Sequence, residues 1–260
     1  MAVLNLHHYG APDGPPTLAI HGVTAHGERY RRLAQEGFPE RRWLAVDLRG
    51  HGRSTWDGPW TAERHVADLL ETLDAEGVER VEVVGHSYGG MIGLHLLATA
   101  PERVARLALL DPAVELPGAW LPKLAEEMID DPGWATPEEA LAKRLEGRSP
   151  QALADATEDV QRHLYHAPDG RYRMRFCRGT AIAGWSEMAR TTVSVAHAGR
   201  PCLLVVALQE EIVRPELRAS LARDLGDRLA TVELDCGHML YWDAFDETAA
   251  ALRAFLTPSA

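Results

Sequence analysis

The sequence predicts an α/β protein with a mostly parallel central sheet, helices on both faces and one helical insertion. Three observations predict it. Short apolar runs alternate with helix-spaced apolar positions along most of the 260 residues. Most of those runs are apolar on both parities, as strands buried on both faces must be. One stretch, residues 117–192, breaks the alternation and reads as helical pieces punctuated by prolines.

In chain order the expected strands are Val3–His8, Thr17–His21, Trp43–Asp47, Glu82–Gly85, Val104–Leu110, Pro201–Ala207 and Ala230–Asp235. A helix is expected where Val66, Leu69, Leu70 and Leu73 recur at helical spacing after Thr61, a residue type whose hydroxyl caps helix starts. Leu217, Leu221 and Leu225 repeat the pattern after Pro215, and Phe245, Ala249, Leu252 and Leu256 make a closing helix. Within the insertion no strand is expected. The helical pieces there are Pro122–Asp130, Pro137–Leu145 and Pro150–Tyr165. The expected organisation is a core of residues 1–116 and 193–260, with 117–192 as a cap over a site at the strands' carboxyl ends. The bland alternative is a helical subdomain whose aromatic residues fill only its own core.

Composition narrows the function classes. A hydrophobic fraction of 46% and a charged fraction of 25% are ordinary for a globular chain and disfavour disordered, collagen-like and membrane classes. The formal net charge of −11 lacks the basic footprint of nucleic-acid binding. Cys177, Cys202 and Cys236 show no CxxC spacing, and so sparse a set fits reduced thiols. No cationic segment precedes a long apolar run at the amino terminus. The apolar run Cys202–Leu208 is far shorter than the roughly 20 residues a membrane helix needs. The expectation is a cytoplasmic protein with no nucleic-acid or membrane partner.

The chemistry is concentrated in a few segments. The strand residues Val83 and Val84 run into Gly85-His86-Ser87-Tyr88-Gly89-Gly90 and then directly into a helix. Gly-x-Ser-x-Gly between strand and helix is a nucleophile elbow: the serine sits on a sharp turn, so its neighbours must be small. The helix start brings N–H groups and a positive dipole end beside Ser87. A serine hydroxyl needs a general base near neutral pH. Of twelve histidines, His238 follows the last apolar strand and therefore projects at the same sheet edge as Ser87. His21, His26 and His51 lie on other strand-end loops and read as structural or pocket-lining. His86 adjoins the nucleophile but points away from it.

The base needs a carboxylate to hold its tautomer. Glu210 stands at the end of the run Pro201–Leu208, with Glu211 beside it, while Asp111 ends the strand after the nucleophile helix. Glu210 is the first choice, with Asp111 and Glu211 as alternatives. Two oxyanion donors are expected from the backbone N–H groups of Tyr88 and Val23, the latter after the turn His21-Gly22. The glycine-rich turn Asp47–Ser54 has neither a Gly-Lys-Ser/Thr ending nor a Gly-x-Gly-x-x-Gly pattern, so nucleotide binding is not indicated. No compact metal-ligand spacing occurs, and no cofactor or metal is implied. Trp120, Trp134, Trp185 and Met239 are candidate walls of an apolar pocket.

The segments HGVTAHGERY, DLRGHGRS, GHSYGG, LLDP and GHM, in this order, resemble the α/β-hydrolase superfamily, and the match covers nearly the whole chain outside the insertion. The resemblance implies that Ser87 is the nucleophile, His238 the base, and Val23 and Tyr88 the oxyanion donors. Glu210 stands where the family usually has aspartate, although some members place the acid where Asp111 stands. The insertion is similar to the family's variable helical cap. Serine at the elbow disfavours dehalogenase and epoxide-hydrolase chemistry. The expected activity is hydrolysis of carboxylic esters, lactones included, through an acyl-enzyme. The alternatives are a C–C bond hydrolase or lyase using the same residues, and a non-catalytic small-molecule receptor. Acyl-chain length, enantiopreference and oligomeric state are not encoded legibly.

Overall fold

The computed structural model describes residues 4–256. All seven expected strands are present: β1 (Leu6–Gly10), β2 (Pro16–Ile20), β3 (Arg42–Val46), β4 (Val81–His86), β5 (Val104–Leu110), β8 (Cys202–Ala207) and β9 (Leu229–Leu234). Their ends shift from the expected ones, most at β1, which starts at Leu6; Val3 lies outside the described residues. The sheet order is β1-β3-β2-β4-β5-β8-β9, and only β1 runs antiparallel to its neighbour.

Register explains where a site can form. Ile20 pairs with both Val46 and Gly85, Gly85 with Leu109, Leu109 with Leu204, and Leu204 with Thr231. Past that row β2 and β3 end at once, β4 and β5 run on by one residue, and β8 and β9 by three. The loops carrying Gly22, Ser87, Asp111, Glu210 and His238 all leave the same edge.

Side-chain alternation builds the two covered faces. Leu107 and Leu109 of β5, with Leu204 and Val206 of β8, join one core with Leu69 and Leu73 of α1 (Ala62–Ala75), Ile92 of α2 (Tyr88–Thr99) and Leu217 and Leu221 of α7 (Pro215–Leu225). Ala108 and Leu110 of β5, with Leu203 and Val205 of β8, face the other way. There they meet Leu240 of α8 (Leu240–Asp243) and Leu252 and Leu256 of α9 (Phe245–Leu256). Thr61 caps α1, its hydroxyl accepting from Arg64 N–H at 3.2 Å.

Between β5 and β8 lie α3 (Leu121–Asp130), α4 (Pro137–Leu145), α5 (Leu153–His163), β6 (Leu164–His166), β7 (Tyr172–Met174) and α6 (Arg178–Met188). Two features differ from expectation. The piece expected as one helix, Pro150–Tyr165, ends at His163, and β6 pairs antiparallel with β7 where no strand is expected. The turn Ala167–Gly170, with Gly170 at φ 80°, reverses the chain there. Helix α6 is also new. Its buried residues are Thr180, Ala181, Gly184 and Met188, mostly small, so it lacks the strong apolar periodicity that marks an amphipathic helix. Among the described residues no helix is long and apolar enough to cross a membrane.

Candidate active site

Ser87 sits between β4 and α2 at φ 55° and ψ −119°, a strained conformation for a residue with a side chain. Steric fit around it is extreme. A Cβ on Gly89 would lie 2.0 Å from Ile20 O, and one on Gly85 2.4 Å from Gly89 O. Gly90 would meet Pro112 Cβ at 2.7 Å. Only glycine lets α2 sit this close to β2 and β5. Tyr88 is the first residue of α2, so its N–H has no partner within the helix. The N–H of Val23 has no acceptor among the described residues. Gly22 brings this second strand-end loop against Ser87: a Cβ there would lie 3.2 Å from Ser87 Cβ and 3.6 Å from Ser87 Oγ.

Two buried histidines hold that loop. His21 Nε2 accepts from Leu48 N–H at 3.0 Å, which leaves Nδ1–H to donate to Gly22 O at 2.7 Å. His51 Nε2 accepts from Thr24 N–H at 3.3 Å, and its Nδ1–H donates to Arg49 O at 3.1 Å. Both rings must be neutral to accept. Burial lowers the pKa of His51 to about 4 and that of His21 well below the usual imidazole value. Beneath them Asp47 accepts from the N–H groups of Gly27 (2.8 Å) and Arg53 (2.9 Å) and from Asn5 and His7. Burial would raise its pKa, but these donors, His7 first, hold it well below the carboxylate range. His21 and His51 are thus scaffold, as one of the two sequence readings had them.

His238 follows β9 on an irregular loop. Its Nδ1 lies 2.6 Å from Asp111 Oδ2. Asp111 is fully buried at φ 44°, and its other oxygen accepts from Ala207 N–H at 3.0 Å. The first choice from sequence, Glu210, does not touch the ring: its Oε1 accepts from the backbone N–H of His238 at 3.0 Å. Glu211 is almost fully exposed, its nearest cation Arg214 at 4.0 Å. Of the three carboxylates, Asp111 is the one in contact with the His238 ring. The reason is topological. Strand β5 lies between β4 and β8, so its end faces the histidine ring, whereas the turn after β8 runs alongside the loop's backbone.

The candidate pocket residues separate. Met239 is buried beside His238. Trp185 is half-buried on α6, whose Gly184 packs on the Gly22–Val23 loop and the elbow, a Cβ there meeting Val23 Cγ2 at 3.1 Å and Tyr88 Cζ at 3.6 Å. Trp134 pairs by backbone with Tyr172 in the insertion, and Trp120 is 40% exposed. Sequence reasoning missed α6 because glycine and alanine, not large apolar residues, make its contact.

A second polar cluster joins the insertion to the core. Asp159 of α5 accepts two bonds from Arg29 (2.8 and 2.9 Å) and one from His26 (2.7 Å), and His163 contacts Glu28 at 2.6 Å. His26, Glu28 and His163 offer ligand atoms within 4.8 Å of one another. The two rings are stacked, however, 3.1 Å apart and 10° from parallel. Parallel planes offer no common in-plane point at which both lone pairs could meet one ion, so the cluster suits fastening better than metal binding.

Comparison with known proteins bears on the fold and the family. The family model for the alpha/beta hydrolase fold matches residues 15–245. The chain is similar to "Lipase LipV" of Mycobacterium tuberculosis, 40% identical over 98% of both chains. It is also similar to "Esterase YbfF" of Escherichia coli, 22% identical over 94% of both. Among solved structures, E-2-(acetamidomethylene)succinate hydrolase superposes with a TM-score of 0.83 at 20% identity, covering 97% of this chain and 94% of the other. That last likeness concerns the fold alone.

Proposed function

The chain belongs to the α/β-hydrolase family, as a carboxylic-ester hydrolase, and from that premise we propose that Ser87, His238 and Asp111 form its catalytic triad. The observation that carries the reading is the 2.6 Å contact between Asp111 Oδ2 and His238 Nδ1 at the edge where Ser87 stands. A buried carboxylate accepting from Nδ1–H leaves the Nε2 lone pair free to act as the base. Among the described residues Ser87 Oγ makes no hydrogen bond to the ring. That contact closes with substrate, as catalytic hydrogen bonds commonly do.

In the proposed cycle His238 Nε2 takes the proton of Ser87 as Oγ attacks the ester carbonyl. The oxyanion accepts from the N–H groups of Val23 and Tyr88, which are preorganised by the His21 and His51 scaffold and by the helix start. Collapse expels the alcohol, protonated by His238. Water, deprotonated by the same ring, then releases the acid from the acyl-serine. Lactones present the same carbonyl and fall in the same substrate class. Residues 117–192 act as the cap, with Trp185 and Met239 as apolar walls. Three free cysteines suit a reducing compartment, and we read the protein as cytoplasmic.

Intact-mass analysis after fluorophosphonate treatment, with peptide mapping, tests the triad. The expected result is one adduct on Ser87, absent from Ser87→Ala and greatly slowed in His238→Ala. Wild-type turnover of para-nitrophenyl butyrate by Ser87→Ala would overturn the reading.

A further inference from the structure

The elbow's sterics dictate glycine at positions 85, 89 and 90, whereas position 86 carries a histidine whose Nδ1 lies 3.3 Å from where a Cβ on Gly22 would stand. The ring is 2% exposed, its centroid 4.6 Å from that of His238 and 5.2 Å from that of Tyr241. His86 Nε2–H donates to the carbonyl oxygen of His238 at 2.8 Å, across 152 residues of chain. On the other side of the same residue, Glu210 Oε1 accepts from the N–H of His238 at 3.0 Å. Around it the loop has little regular bonding of its own: Cys236 N–H returns to Leu234 O, and Gln209 N–H reaches Cys236 O.

We propose that His86 and Glu210 are positioning residues that clamp the two peptide groups flanking His238, so that Asp111 meets the ring in one orientation. The inference rests on His238 being the base. It gives both residues work that neither motif nor fold assigns. The carboxylate at 210, at the strand end where an acid would be looked for, grips the base's backbone instead of its ring. A neutral imidazole at 86 supplies an N–H donor without placing a second cation beside the imidazolium that forms in the reaction. Burial and the nearby His238 keep His86 neutral, its pKa well below the usual value.

The experiment compares His86→Leu with His86→Gln, and Glu210→Ala with Glu210→Gln, by steady-state hydrolysis of para-nitrophenyl butyrate and by the rate of fluorophosphonate labelling. Glutamine can return an N–H donor at 86 and an oxygen acceptor at 210. His86→Leu is expected to lower kcat about 10–100-fold with KM little changed, since misplacing a reacting group by about 1 Å costs that much. His86→Gln is expected to recover most of the loss. Glu210→Ala, on an exposed turn, is expected to lower kcat several-fold and Glu210→Gln to restore it. A kcat for His86→Leu within threefold of wild type overturns the clamp, as does equal impairment of Leu and Gln. Should His86→Leu not fold, Glu210→Ala decides alone, and a wild-type kcat there overturns it. Wild-type protein that takes no fluorophosphonate adduct on Ser87 would instead sink the triad, whatever the position-86 variants do.

Discussion

Around Ser87 the chain is held by backbone packed on backbone, with Gly85 and Gly89 leaving no room for another carbon. Around His238 it is held by side chains that reach across the fold: Asp111 to the ring, His86 and Glu210 to the peptide groups. The first half of the site is a matter of excluded volume and the second of hydrogen-bond valence. They should therefore fail differently. An added methyl breaks the nucleophile half, whereas a removed charge or acceptor breaks the base half, leaving the fold standing.

The largest effect expected on the base half is from Asp111→Asn. An amide at 111 can satisfy Nδ1 only by changing its own orientation or the ring's tautomer, and in a serine triad that exchange costs about 10⁴-fold in kcat. Glu210→Gln keeps its acceptor oxygen and should stay within a few-fold of wild type. Kinetics on both variants with one ester decide between the two acids; a larger loss in Glu210→Gln would reverse the assignment.

On the nucleophile half the expected effects are smaller in rate but visible in stability. Gly89→Ala must place a methyl 2.0 Å from a backbone oxygen of β2, and backbone cannot yield as a side chain can. It should cost about 3 kcal/mol or more, read as a lower urea midpoint or failure to fold. The nearest atoms to a methyl at Gly22→Ala are side-chain atoms of Ser87 and His86, at 3.2–3.6 Å. Its stability should stay near wild type while kcat/KM falls about 100-fold, because the methyl crowds the attacking oxygen. Two alanines with the same loss in both measurements would mean that the elbow is not tuned by volume.

The same contrast explains what could be read in advance. The elbow was legible because its constraint is local: Gly85 to Gly90 are consecutive, and their crowding follows from one sharp turn between a strand and a helix. The seven strands were legible because burial on both faces leaves continuous apolar runs. The acid was not settled, because Asp111 and Glu210 both end strands at one edge, and only the lateral order β4-β5-β8 determines which of them meets the ring. Helix α6 was invisible for a related reason. Its contact with Val23 and Tyr88 is made by Gly184, and a residue chosen for smallness leaves no hydrophobic signal. The Asp159 cluster joins residues more than a hundred positions apart, and nothing around Asp159 in the sequence marks it as the partner of His26 and Arg29.

A pH-dependent effect sits where the two halves meet, at the loop that His51 holds. Its Nε2 must stay unprotonated to accept from Thr24 N–H, and burial holds its pKa at about 4, against 6.5 for a free imidazole. A histidine whose folded pKa is lowered contributes stability that is present above about pH 6.5, the unfolded value. That contribution shrinks as pH falls toward the folded value, because the unfolded chain takes up the proton first. The loss from this one group should be roughly 1 kcal/mol near pH 5.5 and approach about 3 kcal/mol near pH 4. His65, lowered to about 3, and His163, lowered to about 4, act in the same direction, so the wild-type slope will be steep. His51→Gln offers an oxygen to the same N–H and removes one titration. Urea midpoints measured from about pH 7.5 to 5 should therefore fall less steeply in His51→Gln than in wild type. Equal slopes would mean that His51 is not held neutral by the fold, and that the loop after β2 owes its place to His21 and the packing around Gly22.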